Sequence, residues 1–248
     1  MREMSEEISL EGSDKRWWDY RDLFNSREAM WRQSCVIGMS LFSQWAGNDA
    51  ISYFMPVMLQ QAGISDNNQQ LALTAGTSIL GLVGAILGAA LVDRIGRRPL
   101  LITSSALFCF WFTIITVLQA IFTKSEDPTG PVNIHATNTI IAAIYLFGLT
   151  YSIGFTPLSA LYPVECLRFE TRAKGMALGG LIVGLAEFFN MFVIPIGLGA
   201  ITWKFYFLYI AWDAFQTIFI YFFFPETKNR TLEEINKIFT SEHPCDKN

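Results

Sequence analysis

At 248 residues, with 52% apolar and only 16% charged side chains and a mean hydropathy of +0.33, the chain is too apolar for an ordinary water-soluble domain. Its net charge of −4 is carried mostly by the two polar ends and points to no nucleic-acid partner. Four cysteines (Cys35, Cys109, Cys166, Cys245) lie far apart, without the spacing of a metal, redox or disulfide framework.

Six stretches nearly free of Asp, Glu, Lys and Arg follow one another: 33–65, 67–92, 99–123, 128–164, 175–203 and 205–225. Each reaches or exceeds the roughly 20 residues that cross about 30 Å of hydrocarbon. None alternates with the period of a barrel strand, which leaves helices as the spanning element. The expectation is an all-α membrane protein with a cytoplasmic linker (1–32), a six-helix transmembrane bundle (33–225) and a cytoplasmic tail (226–248). The 18 Lys and Arg residues divide 16 to 2 between the sides this topology creates, which puts both termini in the cytoplasm. The first 20 residues hold no apolar core of a signal peptide, so the first span is expected to act as a signal anchor or to be inserted by an upstream partner.

The elements follow in chain order. Residues 17–24 mix aromatics with charges, as a short amphipathic helix at the interface would. The first span, about 33–61, has a polar centre (Ser43, Gln44, Asn48, Asp49, Ser52, Tyr53), and Pro56 is expected to kink or break it. The second, about 69–92, carries a small-residue seam at Gly84 and Gly88 for close helix packing. The third, about 99–123, is the blandest and is expected to face lipid. A turn-rich outer loop (124–138) leads to the fourth, about 139–162, where Gly148, Gly154 and Pro157 suggest a bendable element. The fifth, about 175–199, holds Glu187 and Asn190. The sixth, about 205–224, holds Asp213 and Gln216. The tail reads as a short amphipathic helix with Thr231 as N-cap.

Intramembrane carboxylates cost about 3 kcal/mol at a helix centre and usually face a cavity or a partner. Asp49 and Glu187 are therefore either structural acids between helices or acceptors for substrate hydroxyls. Asp213, near a Trp-containing end, reads as structural. His135 and His243 show no ligand spacing. Charged strings end the spans on the cytoplasmic side: Asp93, Arg94, Gly96, Arg97 and Arg98, then Glu165 with Arg172, then Glu226. Topology alone makes inner loops basic. Three strings with acids at matching depth can also form ion pairs that close the inner mouth of a bundle and break on opening, as alternating access requires.

The DRIGRR turn (93–98), Glu165 followed by Arg172, the PETKNRTLEE tail (225–234) and Gln44 with Gly47 and Tyr53 resemble the C-terminal half of a sugar porter of the major facilitator superfamily. Tyr162-Pro163-Val164-Glu165 and Arg172-Ala173-Lys174-Gly175 are similar to fungal lactose-permease-like and hexose-transporter-like members. The resemblance implies one half of a major facilitator fold and transmembrane sugar transport by alternating access, either proton-coupled, the preferred reading, or facilitative. It also implies a cytoplasmic gate made of the residues just named and a substrate site drawn from Gln44, Asn48, Asp49, Tyr53, Glu187 and Asn190.

The sequence departs from the family pattern at Ser43, Asp49, Ala160, Val183 and Gly184, so several expected sugar contacts are replaced. The partners implied are a sugar or polyol, protons, the lipid bilayer, and an N-terminal six-helix half or a second copy; the membrane expected is the plasma membrane. No cofactor, metal or enzymatic chemistry is expected. A non-transporting sugar sensor, a regulatory half-transporter and an inactive truncation are the alternatives.

Overall fold

The computed structural model describes residues 18–61, 64, 66–124, 134–230 and 232–240. Expectations for Trp17, most of the outer loop, Thr231, His243 and Cys245 lie outside these residues, as does the side chain of His135. All regular elements among the described residues are helical. Helix α1 spans Arg27–Trp45, α2 Asn48–Gln61, α3 Asn67–Ile95, α4 Arg97–Lys124, α5 Ile134–Cys166, α6 Phe169–Ile201, α7 Tyr206–Phe223 and α8 Leu232–Thr240. Five of them, α3 to α7, are long and apolar enough to cross a membrane. Where a sixth crossing is expected, over 33–61, the chain forms two helices, α1 and α2.

That division falls at Gly47, a break the sequence does not announce; the kink expected at Pro56 is present as well, further along. The backbone at Gly47 has φ +88°, a conformation that costs an L-residue and suits glycine. A Cβ there would also lie 2.3 Å from the ring of Phe112 on α4. Pro56 acts more gently, inside α2, where Phe54 departs from helical geometry at φ −113° and ψ 17°. Residues 18–24 form no α-helix either: a 3-10 turn covers Arg21–Leu23. Helix α1 then starts at Arg27, within the segment read as linker, with the Ser26 hydroxyl accepting from the Ala29 N–H as its N-cap.

Helix α5 is central, lying along both α3 and α4, while α4 also lies along α7 and α1 pairs with α6 and α5. The small-residue seam does bring α3 onto α5. A Cβ on Gly88 would stand 2.3 Å from the Ile153 carbonyl oxygen, and one on Gly84 2.8 Å from Ser152 Cβ. Helix α4 keeps the expected outward apolar face, with Leu107, Phe110, Val117 and Ile121 exposed, but its other face is buried. Its Ser105, Phe108, Phe112, Ile115, Thr116 and Gln119 are buried, and Phe108 and Phe112 each meet Phe147 of α5 with centroids 5.0 and 4.9 Å apart. Lipid tails and a neighbouring helix are equally apolar, so a bland sequence suits either surface.

Candidate functional site

The break at Gly47 does chemical work. It leaves the last carbonyls of α1 without intrahelical partners and exposes the first N–H groups of α2. Asp49 occupies the first turn of α2, where the positive end of the helix favours a carboxylate. Its side chain is buried, and its Oδ2 accepts a 2.6 Å hydrogen bond from Asn190 Nδ2 of α6. The same amide nitrogen donates to the Gln44 carbonyl at the end of α1, at 3.0 Å. One asparagine thus joins both sides of the break to α6.

The other expected contacts collect around this bridge. Tyr53 donates from its hydroxyl to Glu187 Oε1 at 3.2 Å, a second link from α2 to α6. Ser52 donates to Asn48 Oδ1 at 3.4 Å, and Gln44 Nε2 lies 3.5 Å from Ser43 Oγ. Burial changes across the cluster: Asp49 and Asn190 are dry, Asn48, Gln44 and Glu187 half-buried, and Tyr53 53% exposed. All six residues picked from the sequence therefore share one region. Tyr151 of α5 was missed. Its hydroxyl donates to the Ser43 carbonyl at 2.8 Å, satisfying another acceptor near the break, and no sequence pattern marks it.

At the end of the bundle that the basic residues are expected to place in the cytoplasm, the three charged strings meet in part. Arg97 directs Nε to both Glu165 oxygens at 3.2 Å and NH2 to Oε1 at 2.9 Å, a forked pair. Asp93 stands 3.4 Å from the same guanidinium but is 80% exposed. Glu226 caps the start of α4: its Oε1 accepts from the Arg97 N–H and its Oε2 from the Arg98 N–H, each at 3.0 Å. Glu226 Oε1 also accepts from the Thr227 and Lys228 N–H groups, and Thr227 donates its hydroxyl to Glu165 Oε2 at 2.6 Å. Gly96, at φ +110°, lets Glu226 approach, since a Cβ would lie 2.8 Å from its Oε2.

Three expected members stand apart from the ion pair. Arg98 turns outward to donate to the Tyr221 carbonyl at 2.7 Å, its guanidinium 5.4 Å from that ring. Arg94 contributes its own carbonyl, which accepts from Lys228 Nζ. Arg172 does not pair with Glu165, whose oxygens are already taken by Arg97 and Thr227. Its Nε is buried without a hydrogen-bond partner among the described residues, and its guanidinium lies 5.9 Å from the Phe169 ring.

A second ionic cluster escaped sequence reading. Glu28 accepts from Arg32 Nε and NH2 on α1 and from Arg168 NH2 after α5. Arg32 is buried, donates to the Cys166 carbonyl at 2.7 Å and lies 4.4 Å from the Phe239 ring of α8. The signal available was the i, i+4 spacing of Glu28 and Arg32, hidden because Arg32 counted only as a basic linker residue. Burial works to raise the Glu28 carboxyl, but the hydrogen bonds and charges of Arg168 and Arg32 outweigh it and hold the group below its ordinary value. A depressed carboxyl stabilises the fold above its unfolded pKa, and that contribution is lost as pH falls through the lower folded value. Glu28→Ala should therefore destabilise the packing around this cluster by about 3 kcal/mol, because it strips a buried arginine of its acid. Thermal unfolding in detergent should show a lowered Tm at neutral pH and a narrowed difference from the parent in acid; a Tm difference that does not change with pH would contradict the assignment.

The comparisons with known proteins agree with this architecture. The family model described as "Sugar (and other) transporter" matches residues 1–239. The chain belongs to this family. It is 31% identical over 228 residues to the MFS-type transporter oryC of Aspergillus oryzae, covering 91% of this chain and 41% of that protein. It is 27% identical to the high-affinity glucose transporter of Kluyveromyces lactis, covering 99% of this chain and 46% of the relative. Polyol transporter 5 of Arabidopsis thaliana is 27% identical over 83% of this chain and 38% of its own length. Among solved structures, a double-tryptophan mutant of XylE superposes with a TM-score of 0.75 at 19% identity, covering 96% of this chain and 48% of XylE. The MFS proton:xylose symporter XylE bound to 6-bromo-6-deoxy-D-glucose superposes at 0.67 with 20% identity, over 82% and 42%. The chain thus has about half of a major facilitator fold and spans less than half the length of these relatives.

Proposed function

We propose that this chain is the C-terminal half of a proton-coupled sugar or polyol porter that works by alternating access. The observation that carries the reading is the Asn190 amide spanning the break between α1 and α2 and held there by buried Asp49. A broken helix that presents a carboxylate, amides and hydroxyls at the middle of a span offers both donors and acceptors, the chemistry a polyhydroxylated substrate needs. Gln44, Asn48, Asp49, Tyr53, Glu187 and Asn190 form this half of the site, with Tyr53 and Glu187 at its wetter edge. The relatives described as glucose and polyol transporters and the proton:xylose symporter support the substrate class and the coupling.

An N-terminal six-helix half, or a second copy of the chain, would complete the cavity. The Arg97, Glu165 and Glu226 cluster would act as the cytoplasmic gate, with both termini on that side of the plasma membrane, as the 16 to 2 division of basic residues suggests.

Uptake of labelled glucose, xylose and sorbitol by cells expressing the protein as it is naturally made tests the reading. Asp49→Ala should lower uptake by about tenfold or more at unchanged surface abundance, since it removes the carboxylate and leaves the buried Asn190 amide with only the Gln44 carbonyl to hold it, a loss of about 1–3 kcal/mol. Undiminished uptake in Asp49→Ala and Glu187→Ala would overturn the choice of site.

A further inference from the structure

Asp213 and Gln216 lie three residues apart on the buried face of α7, which also carries Tyr206, Tyr209 and Ile220. Both side chains are 0% exposed. Neither oxygen of Asp213 and neither polar atom of the Gln216 amide has a hydrogen-bond partner among the described residues. The setting offers no countercharge. Cys109 of α4 and Tyr209 of the same helix are the titratable groups close enough to feel the Asp213 charge. Cys109 directs its thiol to the Ile210 carbonyl instead. From α1, Phe42 and Trp45 contact Trp212 next to Asp213, while the Cys35 thiol meets α7 at its far end, at the Phe223 carbonyl. The 3-10 turn before α7 contributes Phe205, set against Tyr209.

An ionised carboxylate held dry without a donor or a cation is far costlier than the neutral acid. A structural acid between helices would be expected to show a partner, as Asp49 does with Asn190. Intramembrane acids without one mark paths for ions and protons. The seam between α4 and α7 runs from Asp213 toward one end of the bundle. It closes at that end where Arg98 holds the Tyr221 carbonyl and Glu226 caps the first N–H groups of α4. Gln216 lies between Asp213 and that closure, with an amide able to donate and accept.

We propose that Asp213 is a proton-binding site inside the bundle, loaded in this conformation and exchanging with the cytoplasm through Gln216 when the α4–α7 seam opens. Its service in sugar accumulation rests on the proton-coupled reading above; the bound proton does not.

Infrared difference spectroscopy of the whole protein in lipid bilayers tests the site directly. At neutral pH the parent should show a protonated-carboxyl C=O band that Asp213→Asn lacks, and Gln216→Leu should keep the band but slow its shift in deuterated buffer severalfold. Asp213→Glu should move the band, which keeps the assignment decidable if the asparagine variant does not fold. Spectra of the parent with no band that responds to changes at Asp213 would overturn the proposal, and an unslowed shift in Gln216→Leu would overturn the route. In proteoliposomes, Asp213→Asn should retain sugar counterflow but lose proton-driven accumulation. Accumulation equal to the parent would refute the role of the site in coupling. A parent that shows the band yet neither counterflow nor accumulation would refute the transport reading alone.

Discussion

Gly88→Val is expected to remove most of the folded protein from the membrane. A Cβ at this position would lie 2.3 Å from the carbonyl oxygen of Ile153 and 2.9 Å from its Cα. These are backbone atoms of α5, so no rotamer change can make room; α3 and α5 must move apart by about an ångström or more along a shared seam. Overpacking a tight site costs about 1–3 kcal/mol even where side chains yield. Here the cost should exceed about 3 kcal/mol, because helices in lipid have no apolar driving force to restore a loosened contact and rely on close packing. Gly148→Ala is the matched control: nothing lies within 4 Å of a Cβ there, and gaining alanine in a helix is favourable by about 1 kcal/mol. Fluorescence-detected size exclusion with a thermal ramp should show loss or aggregation of Gly88→Val and a Tm for Gly148→Ala at or above the parent value. A monodisperse Gly88→Val protein with an unchanged Tm would mean that α3 and α5 do not meet at this seam.

The Gly84 and Gly88 seam was legible because small residues four apart have one dominant use in a membrane helix. Five of the six expected spans are helices long and apolar enough to cross a membrane, and they were legible because charge is so costly in hydrocarbon that its scarcity alone outlines each crossing. The break at Gly47 was not. Sequence offered Pro56, a stronger local signal, whereas the positive φ at Gly47 goes with the Phe112 ring of α4, a tertiary contact no local pattern reports. The burial of one face of α4 was hidden for the reason already given, that apolar surface suits lipid and protein alike. Arg172 failed for a different reason. Its pairing with Glu165 depends on competition, and Arg97 and Thr227 take both carboxylate oxygens. The polar residues near Asp49 could be picked out because polar side chains in the middle of a span are few; that Asp49 holds Asn190, rather than either acting alone, is a contact between distant helices that no local pattern reports.

Arg97→Ala is expected to unlatch the end of the bundle where α3 turns into α4, with Cys166 as the reporter. Arg97 begins α4 and forks onto Glu165 near the end of α5, with side chains only 12% and 21% exposed. Charge-assisted hydrogen bonds of this kind contribute about 1.5–3 kcal/mol each way they are counted, so losing the fork should raise the population of the opened end by about 10- to 100-fold at 1.4 kcal/mol per decade. Cys166 follows Glu165 directly and is fully buried with a free thiol. With Cys35, Cys109 and Cys245 replaced by serine, its rate of modification by a water-soluble maleimide reads the opening. The rate should rise by that same factor in Arg97→Ala and by less in Arg97→Lys, whose ammonium keeps the charge but cannot fork. Asp93→Ala is the control: an acid 80% exposed and 3.4 Å from the guanidinium contributes at most about 1 kcal/mol, so labelling should change little. Removing Glu226 should act through the backbone instead. Glu226→Ala strips the Arg97, Arg98, Thr227 and Lys228 N–H groups of their acceptor, and it should open the same end while leaving the Arg97–Glu165 fork in place. Parallel increases in Arg97→Ala and Glu226→Ala would show that ion pair and cap hold one closure. An increase in Arg97→Ala alone would make the cap a local feature of α4, and no increase in either would refute the latch.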